Sequence, residues 1–234
     1  MVATSALVQA RQRLGYEAVR HSFELLAKRT FETQSFEQWC GLNLLAVDGV
    51  MYRTQDNIEN RTAFGSETNH HGESSYPQIR MYCLMELYSH LMINSEFDGR
   101  QIGEMTQAQR LIPSAPDNSL TLFDRGYYSL GLLYDWQNSG QDTHWMLPAR
   151  KDLQFDVIRQ LNEYDAIVAL TTSPQARKKF AHLPAQIEAR LTTYTAHGKT
   201  YRVLSSLTEP LRYPYDELLT FTPSVGKLNW VLEK

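Results

Sequence analysis

The chain has 234 residues, 42% of them hydrophobic and 21% charged, with a formal net charge of −3. That size suits one domain, or one domain with an insertion, and the composition excludes disorder and collagen-like repeats. No uncharged apolar run reaches the ~18 residues of a membrane helix, and the N-terminus lacks the basic-then-apolar order of a secretory signal.

Two cysteines, Cys40 and Cys83, with no CxxC pair, make neither a disulfide framework nor a zinc ribbon. They suit a reducing, cytoplasmic setting. Charge is uneven along the chain. Residues 1–30 carry five Lys and Arg against two Glu, and residues 173–202 carry six against one. The acids are concentrated elsewhere. Such a protein can grip a polyanion locally and keep carboxylates free for a metal, although solvated faces give the same pattern.

In chain order, residues 5–29 place Leu7, Ala10, Leu14, Ala18 and Phe23 at helical spacing, with Gly15 a candidate break. FEQW (36–39) reads as a further short helix. LNLLAVDGVMYR (42–53) reads as a strand buried on both faces. The polar stretch 54–75 reads as a long loop. Residues 77–98 are long enough for two strands, with a helix as the competing reading. A helix is expected over 99–112, a strand at SLTLFD (119–124) and a helix over 126–140. There Tyr127, Leu130, Leu133 and Trp136 form a stripe. HWMLPAR (144–150) is a further strand. From 151 to 207 strand formers dominate, with HGK (197–199) as a hairpin turn. The expected class is mixed α/β: a sheet with flanking helices, a helical N-terminal segment and a mostly β insertion.

Two acids stand out. Asp48 and Asp124 each end a predicted buried strand, in AVDG and LFDRG. Carboxylates are rarely buried unless paired or metal-bound. Two of them at one sheet edge can share a divalent cation that keeps several waters. The competing reading is that each Asp caps the turn that follows. His70, His71 and Glu73 form a weaker metal candidate in a polar loop. AVDG is a poor match to an aspartic-protease turn, and LFDRG does not repeat it. ARKK (176–179) can contact phosphates in a salt-dependent way.

LNLLAVDGVMYR, YPQIRMYCLMELYSHLM, LTLFDRGYYSLGLL, HWMLPARK and TSPQARKK together resemble DDE-type insertion-sequence transposases, specifically the insertion-sequence family four group. The resemblance spans most of residues 5–215. It implies an RNase H-like catalytic core with an all-β insertion after the second acid. It implies three carboxylates and Mg²⁺ or Mn²⁺, acting on double-stranded DNA at element ends and target. Asp48 matches the first acid and Asp124 the second, as catalytic residues and metal ligands. Arg177, Lys178 and Lys179 become candidate DNA-backbone contacts. Four regions follow: a helical segment at 1–40, the RNase H-like core at 41–150, a β-rich insertion at 151–210 and an aberrant tail at 211–234.

The departure from the family comes after residue 211. The family's third acid sits in a helical Tyr-Arg-Glu-Lys set, and none appears in RYPYDELLTFTPSVGKLNWVLEK. Pro223 and Gly226 disfavour a helix there. Neither Glu217 nor Glu233 is assigned as the third ligand. With freely chosen synonymous codons and one surplus nucleotide, shifted frames across Ser224 to Glu233 spell Arg-Trp-Glu-Ile-Glu. The last dozen residues are therefore expected to be an out-of-frame tail on a truncated transposase with negligible strand-transfer activity. Two alternatives remain: a non-enzymatic fragment that binds DNA ends or a full-length transposase, and an RNase H-like nuclease with Glu86 as a replacement acid.

Overall fold

The computed structural model describes residues 3–69, 72–99, 102–196 and 198–219. The elements run α1 (Thr4–Thr33), β1 (Gln38–Trp39), β2 (Leu42–Arg53), α2 (Ile58–Phe64), β3 (Ser66–Asn69), β4 (Gly72–Glu86) and β5 (Met92–Gly99). They continue with α3 (Glu104–Leu111), β6 (Ser119–Phe123), α4 (Leu130–Gln137), β7 (Thr143–Pro148), β8 (Asp156–Asn162) and β9 (Asp165–Thr171). Last come α5 (Pro174–Lys179), β10 (Gln186–Ala196) and β11 (Lys199–Ser205). The chain is mixed α/β, with helices flanking one large mixed sheet.

The sheet order is β3-β4-β2-β6-β7-β11-β10-β9-β8, with β1 on β2 and β5 on β4. The pairs β2–β6 and β6–β7 are parallel, and the other pairs are antiparallel. Two-faced burial explains the apolar runs. Along β2, Leu45 and Val47 enter a first core cluster and Leu42, Leu44 and Ala46 a second. This is the period-2 alternation of a strand covered on both sides. The first cluster is closed by Ala108 and Leu111 of α3 and by Leu132, Leu133 and Trp136 of α4. The second is closed by Trp39, Leu207, Tyr213 and Leu218. Trp39 and Tyr213 stack with ring centroids 5.8 Å apart.

Several expectations need correction. FEQW is not a helix: Gln38 and Trp39 pair with Asn43 and Leu42 of β2, because the Trp39 ring gains more by burial against Tyr213. The expected loop at 54–75 contains α2, capped by the Asn57 side chain on the Asn60 N–H at 2.7 Å, and then β3. His70 and His71 lie outside the described residues, as does the Glu73 side chain. The stretch 151–207 is not all strand, since Ser173 caps α5 with Pro174 at its first position. Over 77–98 the strand reading holds as β4 and β5. Helix α1 does break at Gly15, whose φ of 74° few side chains tolerate.

The strands of the β-rich stretch continue the same sheet through β7–β11 pairing. Residues 211–219 pack on the second core cluster through Tyr213 and Leu218. Residues 220–234, with Pro223, Gly226 and Glu233, lie outside the described residues. Both cysteines are free, Cys83 buried and Cys40 half-buried. Among the described residues no helix is long and apolar enough to cross a membrane.

Candidate active site

Parallel pairing of β2 with β6 decides the geometry. The register ends on Val47 opposite Phe123, so Asp48 and Asp124 are the next residues on adjacent strands. Ligand sites in open α/β sheets gather at the carboxyl ends of parallel strands. Both acids are half-buried. Asp48 Oδ1 accepts the Gly49 N–H at 2.7 Å, and Asp124 Oδ1 accepts the Gly126 N–H at 2.6 Å. The turn-capping expectation is met at Asp124, which caps the turn at Arg125–Tyr127, and not at Asp48, which lies inside β2 with no turn after it. Burial pushes the Asp48 carboxyl above its ordinary range. The Gly49 N–H opposes this, and the Asp124 charge adds to it.

Gly49 has a steric reason. A Cβ there would meet Tyr82 Cε1 at 2.8 Å and Tyr127 Oη at 3.6 Å. The two tyrosine rings stand edge-on, with centroids 6.4 Å apart. Burial raises the Tyr127 phenol well above its ordinary value, with Glu104, Asp48 and Asp124 adding to the effect. It therefore remains a neutral O–H beside the acids. The Cys83 thiol, opposite Asp48 on β4, is pushed up to about 12 by burial and by the Asp48 charge. It is a structural thiol, not a nucleophile.

Three residues that the sequence did not single out complete this edge. Arg80 Nη1 donates to Tyr82 Oη at 3.2 Å and to Glu104 Oε1 at 3.3 Å. Glu104 opens α3. A Cβ on Gly126 would lie 3.5 Å from Asp124 Oδ1 and 3.8 Å from Glu104 Oε2. No spacing rule links these positions, because they come from β4, α3 and the turn after β6.

The other candidate acids lie elsewhere. Glu86 pairs with Leu45, three positions along β4 from Cys83, roughly 10 Å away at the strand rise and on the opposite face. Its Oε2 accepts the Tyr88 and Ser89 N–H groups at 3.2 and 2.6 Å. Glu217 acts electrostatically on Cys40, in the turn before β2. Among the described residues no group of three or more His, Cys, Asp or Glu side chains is placed to hold one ion.

Arg177, Lys178 and Lys179 sit on α5. Arg177 Nη1 turns back to the Thr172 carbonyl and, at 2.9 Å, to Thr172 Oγ1. Lys178 and Lys179 are exposed. Phe180, which ends α5, packs onto Gly131 in the first turn of α4. This brings the lysines to the same side of the sheet as the turn carrying Asp124. At that edge Arg150 lies over the Tyr128 ring, 5.7 Å from its centroid.

Asp48 thus lies partway along β2, where its parallel pairing with β6 ends, and Asp124 directly follows β6. Residues 39–221 match the family model "Transposase DDE domain", and the chain belongs to that family. It is 47% identical over 217 residues to Transposase InsG for insertion sequence element IS4 of Escherichia coli, covering 93% of this chain and 49% of that protein. It is 34% identical over 217 residues to InsZ of the same organism, covering 92% of this chain and 69% of InsZ. The chain thus spans about half the length of InsG. A solved piggyBac transposase synaptic complex with hairpin DNA aligns with 80% of this chain and 39% of that one. The identity is 13% and the TM-score 0.39.

Proposed function

We propose that this chain is a DNA-binding transposase core in which Asp48 and Asp124 hold a divalent cation, Mg²⁺ or Mn²⁺, against a DNA phosphodiester. The observation that carries this reading is the parallel β2–β6 register, which makes the two acids neighbours at one sheet edge in a chain of the DDE family. An RNase H-like core is supported by the strand order β5-β4-β2-β6-β7, antiparallel on one side of β2 and parallel on the other.

Two carboxylates suit a hard cation that retains several waters. When bound, the ion would stabilise charge developing on the phosphoryl oxygens and acidify an attacking water. The chain's own residues do the positioning. The Gly49 and Gly126 N–H groups orient the two carboxylates, and the Tyr82–Tyr127 pair walls off one side of the site. Lys178 and Lys179 supply phosphate contacts, whereas Arg177 mainly braces Thr172. The substrate would be double-stranded DNA, element ends and target, cut and then joined by the freed 3′-hydroxyl.

Among the described residues only Asp48 and Asp124 are assigned to the cation, since Glu104, the further acid at this edge, is engaged by Arg80. The chain as given is therefore expected to bind DNA and the cation yet support negligible strand transfer. This favours a second reading, a fragment that binds element ends or a full-length transposase and interferes with it. The position of Glu86, turned into the 88–89 backbone, argues against the stand-alone nuclease reading.

The test has two arms. Mn²⁺ binding, followed by its electron paramagnetic resonance signal, should weaken in Asp48→Asn and in Asp124→Asn. Equal binding in all three proteins would overturn the metal assignment. A supercoiled plasmid carrying element ends should remain intact with wild-type protein. Mg²⁺-dependent nicking lost in Asp48→Asn would overturn the predicted inactivity.

A further inference from the structure

We propose that Arg80 is a phosphate-binding residue of the two-aspartate edge and that Glu104 holds its guanidinium in reserve until a DNA phosphate displaces the carboxylate. This rests on the DNA reading above and names a residue pair within that site.

The first observation is how little of Arg80 is used. Both of its hydrogen bonds come from Nη1. Among the described residues, Nε and Nη2 have no partner. Four other arginines engage a carboxylate through two nitrogens, Arg61 with Asp56, Arg150 with Asp152, Arg190 with Asp165 and Arg212 with Asp142, whereas Arg110, like Arg80, uses Nη1 alone. A guanidinium carries five donors in a planar fork that matches carboxylate or phosphate in pairs. Arg80 has one nitrogen spent and the fork open.

The second observation is place. Tyr82, which receives one Arg80 bond, is the ring that covers Gly49 beside Asp48. Glu104, which receives the other, has its Oε2 3.8 Å from where a Cβ on Gly126 would stand, and the Gly126 N–H is the donor to Asp124. Arg80 is thus linked to Asp48 through Tyr82 and Gly49, on the face of β4 opposite Cys83, and to Asp124 through Glu104 and the Gly126 turn. Its side chain is 23% exposed, so the head group is oriented yet reachable.

The third is the nature of the Glu104 contact. It is a single 3.3 Å approach by a carboxylate that is 49% exposed. A pair of this kind is weak, because water screens it and holding both side chains costs entropy. Glu104 also opens α3, where the helix N-terminus favours a negative charge with or without the arginine. Losing Arg80 therefore costs Glu104 little. A phosphodiester that presents two oxygens to the open fork is the stronger partner.

The test is binding of a fluorescein-labelled random-sequence duplex, read by anisotropy across a salt series, with thermal unfolding in parallel. Arg80→Ala should weaken binding about tenfold and lower the slope of log K against log salt by about 1. Arg80→Lys should restore the slope but not the affinity, because an ammonium lacks the fork. Glu104→Gln should tighten binding severalfold. Wild-type binding with Arg80→Ala unchanged, or weaker binding in Glu104→Gln with an unaltered Tm, would overturn the Arg80–Glu104 assignment alone. Wild-type protein that fails to bind the duplex at low salt would overturn the DNA reading and this inference together.

Discussion

The ring of Tyr82 lies across Gly49, leaving no room for a side chain between them: a Cβ would stand 2.8 Å from Cε1. The pair ties the Asp-Gly of the sequence to the shape of the site. Gly49→Ala should destabilise the fold by roughly 1–3 kcal/mol through overpacking and shift Asp48 from its position. Adding Tyr82→Leu should recover most of the stability. A Tm equal to wild type in the single variant would show that the ring can move aside freely.

Asp48 is expected to trade stability for function. Burial raises its folded-state pKa, so the ionised form is disfavoured by folding. Its effect is nil when the carboxyl is protonated in both states, and becomes destabilising as pH rises through the ordinary carboxylate range and the folded value. Asp48→Asn should therefore have a higher Tm than wild type at about pH 7.5, and the gap should close at about pH 3. A lower Tm for the variant at neutral pH would contradict this account.

Arg190 and Asp165 form a fully buried, two-nitrogen pair at 2.7 and 2.6 Å, and Arg190 Nη1 also holds the Tyr213 carbonyl at 2.6 Å. Arg190→Met leaves Asp165 buried and unpaired, and should cost about 3–5 kcal/mol. Removing both, as Arg190→Met with Asp165→Leu, should cost clearly less. Urea unfolding of the two variants decides this, and equal losses would deny the pairing its role.

His144 bridges three elements. Its Nδ1 meets Ser206 Oγ at 3.1 Å, and its Nε2 meets Asp142 Oδ1 at 2.9 Å and Tyr213 Oη at 3.2 Å. Burial lowers its pKa, although Asp142 opposes that, while Arg212 lowers it further and Glu209 raises it. A histidine with a depressed folded pKa supports folding above its ordinary value of 6.5 and loses that support as pH falls below it. Tm should drop between about pH 7.5 and about pH 5.5, and His144→Gln should flatten the dependence. An identical profile in the variant would assign the titration to other groups.

The α5 cations should separate by role. Lys178→Ala with Lys179→Ala should lower the salt slope of duplex binding by about 2 and leave Tm unchanged. Arg177→Ala should lower Tm, since its head group is spent on Thr172. A salt slope that responds to Arg177 alone would reverse the two assignments.

How much of this was legible in the sequence depended on whether burial left a mark on neighbouring residues. SLTLF shows strand β6 because all five residues are buried. Strand β8 (DVIRQLN) was missed as an element because it is an exposed edge, with no apolar alternation to read. Trp39 was misread because what covers it, Tyr213, is far away in sequence. Asp48 and Asp124 could be picked out because each closes a buried run, and an acid in that place is costly without a purpose. That they are neighbours was decided only by the parallel β2–β6 register. Arg80, Tyr82 and Glu104 left no sequence signal, and Tyr127 was legible only as part of an apolar stripe, because their meeting depends on where a sheet, a helix and a turn converge. Local runs record burial, which acts residue by residue. Charges and rings that meet across the fold are placed by chain closure, which no local pattern encodes.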